Sequence, residues 1–485
     1  MNAKVILFLL GKISLGIGLA QFIPLLMAIY YSEACVIELL LSMLVAFVLS
    51  LFCGYWGHLQ KGKNISVREG IGTVFFAWIL AAGLAGLPYY FIGILDPASA
   101  YFESMSGLTT TGATSISDLS VVPQSILFWR SLTHWIGGIG IIVLFVALLP
   151  QISGSAVYLF NAEVSGFSNS KILPRLRNTA ITLFYIYLFL TVTLTVILVA
   201  LNMSLYDAVN HAFSAIATGG FSVYNESIAH FNNDIIKIVI GFFMLFSGGN
   251  FALYYQLTKS GVKVLWQDLE FKTYVSLALC FTVLVAANII YSGNYGVYDG
   301  IIAAFFHVSS FASTTGYVAD NYDLWPSFSK LILAVMYITG GCAGSTAGGV
   351  KICRVVVLIK TVAAELRRTL HPQMLLNVYY DKKRLSTQTI INISRFFFIY
   401  ILVIAVLSLI LAFEGMSVEE SIFGIASCVS SVGPAFGSIG AVGNFSLVPP
   451  IGKLACALAM LLGRLELFTA LALLRSEYWR SSKRW

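Results

Sequence analysis

Long apolar runs recur along nearly the whole of this 485-residue chain and constrain its fold more than any other feature. Each run has about 20 residues, the length that a helix needs to cross the hydrocarbon core of a bilayer. Charged residues make up only 11% of the chain, against roughly 25% in soluble globular proteins. A soluble fold is therefore close to excluded. The continuous runs also disfavour a transmembrane β-barrel, because apolar and polar residues alternate along its strands. The sequence predicts an all-α polytopic membrane protein.

Ten of the apolar runs are long enough to be full spans. They lie near 5–31, 34–55, 70–95, 125–149, 179–201, 235–258, 271–292, 328–348, 391–412 and 451–474. The first is longer than the apolar region of a signal peptide and is interpreted as a retained span. Four polar stretches between the runs, such as 101–114 and 206–221, are too short to cross, so we expect them to be re-entrant.

Basic residues indicate the topology. Five basic clusters fall on one side of the membrane if every re-entrant stretch opens to the other side. They lie within 61–68, 171–177, 259–272, 351–395 and 475–484. By the positive-inside rule, both termini are then cytoplasmic. The net charge of +7 therefore reflects topology, and a nucleic-acid role is not supported. The seven cysteines have no disulfide or metal-ligand spacing.

The four re-entrant stretches form an internal repeat. Aligned on one glycine they read SGLTTTGA, SAIATGGF, SFASTTGY and SCVSSVGP, beginning at Ser106, Ser214, Ser310 and Ser427. The aligned glycines are Gly112, Gly220, Gly316 and Gly433. A hydroxyl residue lies two positions before each of them: Thr110, Thr218, Thr314 and Ser431. Each repeat is predicted to be a span, a short pore helix, a glycine loop and a span, arranged around a central pore after two extra N-terminal spans.

Such loops suit the coordination of a cation. A cation that enters the membrane must exchange its hydration shell for protein oxygens, and a glycine loop can direct successive carbonyls toward one axis. A single Thr-Gly pair is more often a helix C-cap, but four copies in one register favour a filter. The predicted filter residues are Thr110, Thr111, Gly112, Thr218, Gly219, Gly220, Thr314, Thr315, Gly316, Ser431, Val432 and Gly433. His211 and His307, nine positions before the glycine, are expected to pack rather than bind metal.

Two features of the later repeats are candidates for lining the pore. The second span of the third repeat is interrupted by TGGCAGSTAGGVK at 339–351, and a broken helix at membrane depth normally lines a cavity. Arg464 lies mid-span in LLGRLELFTA, where an exposed charge costs at least about 2.5–3.5 kcal/mol. The alternatives are a glycine-rich packing face and an ion pair of Arg464 with an acid such as Glu38. The residues concerned are Gly344, Ser345, Thr346, Ala347, Gly348, Gly349 and Arg464.

Several strings together resemble one family. TTTGAT, ATGGFS, STTGYV, SVGPAF, FWRSLTHWIGGIGI, SGGNFALYY and CAGSTAGGVKICR are similar to the TrkH-type subunit of the Trk/Ktr/HKT potassium transporter superfamily, over nearly the whole chain. The resemblance implies a homodimeric, channel-like potassium subunit of the bacterial cytoplasmic membrane. It implies K⁺ at the filter, no covalent cofactor, and a cytoplasmic TrkA-type regulatory partner that carries the nucleotide. It also implies that the interruption is an intramembrane gate loop and that Arg464 projects into the pore.

The predicted function is gated potassium uptake through a four-loop filter. The alternative is an obligate proton- or sodium-coupled symporter, which normally needs a titratable residue at a midplane site; the filter loops contain none. An enzyme is not predicted, because no hydrolase motif is present. The chain contains neither nucleotide-binding loop motif, and 351–395 is a candidate docking surface for a partner. The predicted divisions are a two-span region at 1–68 and pore repeats at 69–165, 166–262, 263–370 and 371–485.

Overall fold

In the computed structural model, the structure describes residues 3–57, 66–140, 176–293, 295–373, 377–381, 383–465 and 467–479. Helices make up nearly all of the regular structure there. A single β-hairpin is described, in which β1 (Tyr379–Tyr380) pairs antiparallel with β2 (Lys383–Arg384). The predicted boundary between repeats 1 and 2 and most of the basic residues at 61–68, 171–177 and 475–484 lie outside the described residues.

The N-terminal region contains the two expected spans. The first consists of α1 (Ala3–Ala20) and α2 (Phe22–Tyr30), and the second is α3 (Val36–Trp56). Gln21 separates α1 from α2 and is fully buried. Its amide nitrogen donates to Leu84 O at 3.2 Å and its carbonyl accepts from the Ser42 hydroxyl at 3.0 Å. A buried amide is stable only with such partners, so Gln21 ties the first span to the second and to the first repeat.

Each repeat begins with a long helix. These helices are α4 (Val67–Phe91), α7 (Leu176–Ala200), α12 (Leu269–Tyr291) and α16 (Thr387–Phe413). Two positions beyond the end of each, the chain turns through a left-handed residue. These residues are Gly93, Asn202, Gly293 and Gly415, with φ of 76°, 67°, 79° and 93°. Gly and Asn are the residues that adopt this conformation most readily, so a local signal ends all four helices.

A short pore helix follows each turn. The four are α5 (Pro97–Leu108), α8 (Leu205–Ile216), α13 (Val297–Ala312) and α17 (Val418–Ser430). Three have a side-chain N-cap, from Asp96, Ser204 and Ser417, which accepts backbone N–H groups that the first turn leaves unpaired. The pore helices are largely buried. The outer faces of the long helices expose apolar side chains instead, as Leu409 of α16 does at 70%, which suits contact with lipid.

The helix that follows the glycine loop in every repeat is short, and it is called here the second helix of the repeat. These helices are α6 (Gln124–Ile139), α9 (Asp234–Ser247), α14 (Ser327–Thr339) and α18 (Pro450–Arg464). The chain bends by 92° between α9 and α10 (Phe251–Ser260). After α14 it forms a loop at 340–351, called here the repeat-3 loop, before α15 (Ile352–Leu370). The remaining helices are α11 (Lys263–Gln267), α19 (Leu467–Ala472) and α20 (Ser476–Trp479).

The ten predicted spans are therefore not all continuous helices among the described residues. Among the described residues, six helices are long and apolar enough to cross a membrane, or seven if α9 and α10 count as one span. The predicted continuous spans 235–258 and 451–474 are broken, and residues 141–149 of the span 125–149 lie outside the described residues. Close packing requires a glycine directly after Ser247, where α9 ends. A Cβ at Gly248 would lie 2.3 Å from the Tyr274 hydroxyl and 3.1 Å from Ser313 Cα.

Candidate functional site

The same backbone cap ends all four pore helices. The hydroxyl residues Thr110, Thr218, Thr314 and Ser431 are left-handed, with φ of 57°, 55°, 56° and 55°. In each repeat, the N–H of the next residue donates to the carbonyl of the aligned serine, at 2.9, 2.8, 2.8 and 3.0 Å. This is the six-to-one bond of a Schellman cap, in which glycine usually holds the left-handed position. The C-cap interpretation is thus correct for the hydroxyl residues, and the aligned glycines lie beyond the cap.

The aligned glycines form a closed ring of contacts. Their φ values are 81°, 86°, 78° and 102° for Gly112, Gly220, Gly316 and Gly433. A Cβ added to each, in that order, would lie 2.0 Å from Gly219 O, 2.2 Å from Thr315 O, 1.8 Å from Val432 O and 2.5 Å from Thr111 O. Each glycine therefore faces a carbonyl of the next repeat, and the fourth faces the first. The structure brings the four predicted loops together around one axis, here called the glycine ring.

Hydroxyl groups hold the loops in this conformation. The hydroxyls of Thr110 and Thr218 donate to the carbonyls of the preceding residues at 2.7 and 2.6 Å. Ser427 donates to the carbonyl of Gly433 at 2.9 Å, and Ser310 donates to Tyr317 O at 2.8 Å. A hydroxyl that donates its proton to the protein still has lone pairs on its oxygen. The loops therefore contain both carbonyl and hydroxyl oxygens that have lone pairs.

One face of the ring opens into a cavity that all four repeats line, through Gly112, Gly220, Gly316 and Pro434 among others. Asn225 borders this cavity and links repeats 2 and 1. Its side chain accepts from Leu119 N and donates to Asp118 Oδ1, both at 2.8 Å. The second bond holds the pKa of the Asp118 carboxyl below its usual value.

The repeat-3 loop packs against the C-terminal ends of three pore helices. Gly348 N–H donates to the Thr314 hydroxyl at 2.7 Å, and a Cβ at Gly348 would lie 2.0 Å from Ser430 O. The Thr346 hydroxyl lies 3.3 Å from Ile216 O and 3.2 Å from Ser247 O. The predicted gate loop is thus next to the predicted filter. A loop in this place has neighbours on every side that satisfy its freed backbone groups.

Arg464 contacts the repeat-3 loop from the fourth repeat. Its guanidinium donates to Gly137 O and, at 3.4 Å, to Thr346 O. It also lies 5.6 Å from the centre of the Trp78 ring. Glu38 Oε2 is buried without a hydrogen-bond partner among the described residues, so this oxygen does not pair with Arg464. Arg464 thus joins the second helix of repeat 1 to the repeat-3 loop.

The chain is similar to known proteins over nearly its whole length. A family model described as TrkH, cation transport protein, matches residues 47–484. The Trk system potassium uptake proteins TrkH of Salmonella typhimurium and Escherichia coli are each 33% identical over 488 residues, which cover 99% of this chain and 100% of theirs. The structure is similar to the crystal structure of the potassium transporter TrkH from Vibrio parahaemolyticus, with a TM-score of 0.90 and 31% identity over 99% of this chain and 100% of that one. The chain belongs to the TrkH family.

Membership of the TrkH family confirms three predictions made from the sequence. The resemblance is correct, the fold is that of an all-α polytopic membrane protein, and the relatives are transport proteins rather than enzymes. The roles of the individual filter and gate residues remain predictions at this point.

A buried ion pair in this TrkH-family chain was missed from the sequence. Arg130 Nε lies 2.9 Å from Glu103 Oε1, and the two side chains are 1% and 0% exposed. Arg130 also donates to Ser222 O at 3.0 Å and lies 4.0 Å from the centre of the Phe221 ring. The pair therefore fixes pore helix α5 against the loop of the next repeat. The signal available was Arg130 within an apolar helix, which requires a partner.

His211 and His307 pack as expected. Both ring nitrogens of His211 have partners, Asp207 O at 2.8 Å and the Ser222 hydroxyl at 3.0 Å. His307 lies 2.9 Å from Ala303 O and 3.2 Å from Asp320 O. Among the described residues, no group of three or more His, Cys, Asp or Glu side chains is placed to hold a metal ion. The packing prediction is confirmed.

We expect Arg130→Met to lower the free energy of unfolding by roughly 3–5 kcal/mol, because it leaves the buried Glu103 carboxylate unpaired. Adding Glu103→Gln to the same chain should recover part of this loss, since the uncompensated charge is removed. Thermal unfolding of the purified variants measures both effects.

The control is Lys237→Met in the more exposed pair between Lys237 and Asp234, whose side chains are 20% and 38% exposed. Such a pair contributes about 1 kcal/mol or less. Equal losses of stability in Arg130→Met and Lys237→Met would contradict a structural role specific to the buried pair.

Proposed function

We propose that this chain takes up potassium by conducting it through the glycine ring as a gated, channel-like pore. The observation that carries the proposal is the closed cycle of glycine-to-carbonyl contacts, which brings backbone carbonyls of all four repeats together. A ring of such oxygens replaces the hydration shell of a dehydrated cation. The relatives named as Trk system potassium uptake proteins support potassium as the ion. Under this proposal K⁺ is the transported ion and the twelve predicted filter residues are its binding site.

The symporter alternative has less support. Coupling to protons or sodium normally requires a titratable group at the transport site, and the loops at 110–112, 218–220, 314–316 and 431–433 contain none. The carboxylate of Glu103 behind the first loop is bound to Arg130.

The test of the proposed function is ion flux in liposomes that contain the purified protein, across an alkali-cation series, with and without a proton gradient. Potassium flux that follows its own gradient alone is expected. Stoichiometric movement of protons or sodium with potassium would establish the symporter instead.

We further infer that the repeat-3 loop and Arg464 form the gate. The contacts of Gly348 with Thr314 and Ser430 support this proposal, because they hold the loop against the pore helices next to the ring. Arg464 adds a positive charge beside the loop, and in a poorly screened setting such a charge repels cations. The same residues would close the path sterically and electrostatically.

We also propose a membrane location, an orientation and partners for this pore. The distribution of basic residues supports cytoplasmic termini in a bacterial cytoplasmic membrane. The Trk-system names of the relatives support a regulatory partner, proposed to be of the TrkA type and to carry the nucleotide. We propose a homodimer, and 351–395 as the docking surface for that partner.

We expect Gly316→Ser to lower the potassium-to-sodium flux ratio roughly tenfold, equivalent to about 1.4 kcal/mol of discrimination. The new side chain would collide with Val432 O, because a Cβ at Gly316 would lie 1.8 Å from it. Gly220→Ser should act in the same direction through Thr315 O. Tracer flux in liposomes gives the ratio.

Gly415→Ser is the matched control. Gly415 also has a positive φ, 93°, but a Cβ there would meet nothing within 4 Å. It therefore carries the backbone strain without the collision. Unchanged flux ratios in folded Gly316→Ser and Gly220→Ser protein would rule out a filter at these positions.

Deletion of residues 344–349 should raise basal potassium flux severalfold while the flux ratio stays the same, because a constriction is removed and the ring is kept. The measurement is tracer uptake by purified, correctly folded protein without any partner. A deletion variant that folds and conducts no more than the original chain would contradict the gate.

Arg464→Ala should increase flux at an unchanged flux ratio, because it removes a charge from the path. Arg464→Lys is the control, since it keeps the charge but loses the planar donors and should leave flux low. Thermal unfolding is measured on the same samples. A large loss of stability without a gain in uptake would show that Arg464 is structural.

A further inference from the structure

Glu270 holds both ends of the repeat-3 loop. It lies in the first turn of α12 and is only 7% exposed. Its Oε1 accepts from the N–H of Ala343 at 2.7 Å and from the N–H of Cys353 at 3.2 Å. Ala343 is in the first part of the loop, and Cys353 is in the first turn of α15. One carboxylate oxygen therefore joins the two ends of the segment that contains all six predicted gate residues of the loop.

This carboxylate replaces a missing helix cap. Lys351, at the N-cap position of α15, makes no side-chain cap and has φ of 77°. The first N–H groups of a helix have no intrahelical acceptor, and a negative charge near them is favourable. Glu270, which lies on another helix, supplies both the acceptor and the negative charge. The Lys351 amine instead donates to Ala347 O within the loop.

The loop is thus held at two separate places. Arg464 contacts its tip at Thr346 O, while Glu270 contacts its base. Hydrogen bonds to a charged acceptor are stronger than those between neutral groups. A movement of the loop away from the pore helices that separates its two ends must break the Glu270 bonds.

We propose that Glu270 is the positioning residue that keeps the repeat-3 loop in its blocking position, and that opening of the pore breaks its bonds to Ala343 and Cys353. This inference rests on the proposed role of the loop as a gate. It assigns control of that gate to the first helix of repeat 3.

The experiment compares Glu270→Ala with Glu270→Gln in the purified full chain. Amide hydrogen exchange is followed by mass spectrometry in peptides that cover 340–353. Exchange should be about tenfold faster or more in Glu270→Ala, with peptides of the glycine ring unchanged. Glu270→Gln keeps an acceptor oxygen and should stay near the original rate. Basal potassium flux should rise in Glu270→Ala and much less in Glu270→Gln.

Exchange in 340–353 that is as slow in Glu270→Ala as in the original chain would overturn the proposal. Equal effects of the Ala and Gln substitutions would also overturn it, because the acceptor oxygen would not matter. If Glu270→Ala does not fold, Glu270→Asp replaces it, since the shorter side chain keeps the charge but withdraws the oxygen.

Flux in the 344–349 deletion separates this inference from the proposed gate. Glu270→Ala should add no flux when the loop is absent, and an added rise there would overturn the role of Glu270. A deletion that raises no flux contradicts the gate itself, whereas the exchange result does not depend on the gate.

Discussion

The close approach of each aligned glycine to a carbonyl of the next repeat is the contact on which the rest of the structure depends. At Gly316 a single added carbon would lie 1.8 Å from Val432 O, far inside the distance at which any two such atoms pack. The left-handed hydroxyl residue two positions earlier turns the chain so that this approach occurs. Pore helices, caps and the serines that bond the loops are all arranged around it. A structure of this kind tolerates almost no side chain at its centre.

Two arginines within apolar helices meet the cost of desolvation in different ways. Arg130 is paired with Glu103 and stacked on Phe221, so that it joins two repeats as a buried ion pair. The hydrogen bonds described for Arg464 go to backbone carbonyls, among them Gly137 O near the end of α6 and Thr346 O in the repeat-3 loop. Broken helices supply unpaired carbonyls, which places a strong donor such as arginine there. The same residue type therefore joins two repeats through an ion pair in one place and through backbone carbonyls in the other.

Backbone groups freed at the breaks after the second helices of repeats 2 and 3 hydrogen-bond to one another. Cys342 N–H donates to Gly248 O at 2.8 Å, and Phe251 N–H donates to Gly344 O at 3.2 Å. Backbone groups that leave a helix inside a membrane need such partners. Because the two breaks share hydrogen bonds, a displacement of α10 is coupled to the repeat-3 loop. Glu270 adds a charged acceptor to the same region.

The sequence by itself determined the all-α membrane class, the fourfold register and the four loops, because these follow from hydropathy and from local backbone preferences of glycine and short polar residues. Only the tertiary structure decided where the second spans of repeats 2 and 4 break and which charges pair. Tyr274 and Ser313 leave no room for a side chain at Gly248, and Glu103 pairs with Arg130, 27 positions along the chain. Glu270 reaches Cys353 across 83 positions. Such contacts depend on packing between distant segments, and no periodicity or local propensity in the chain encodes them.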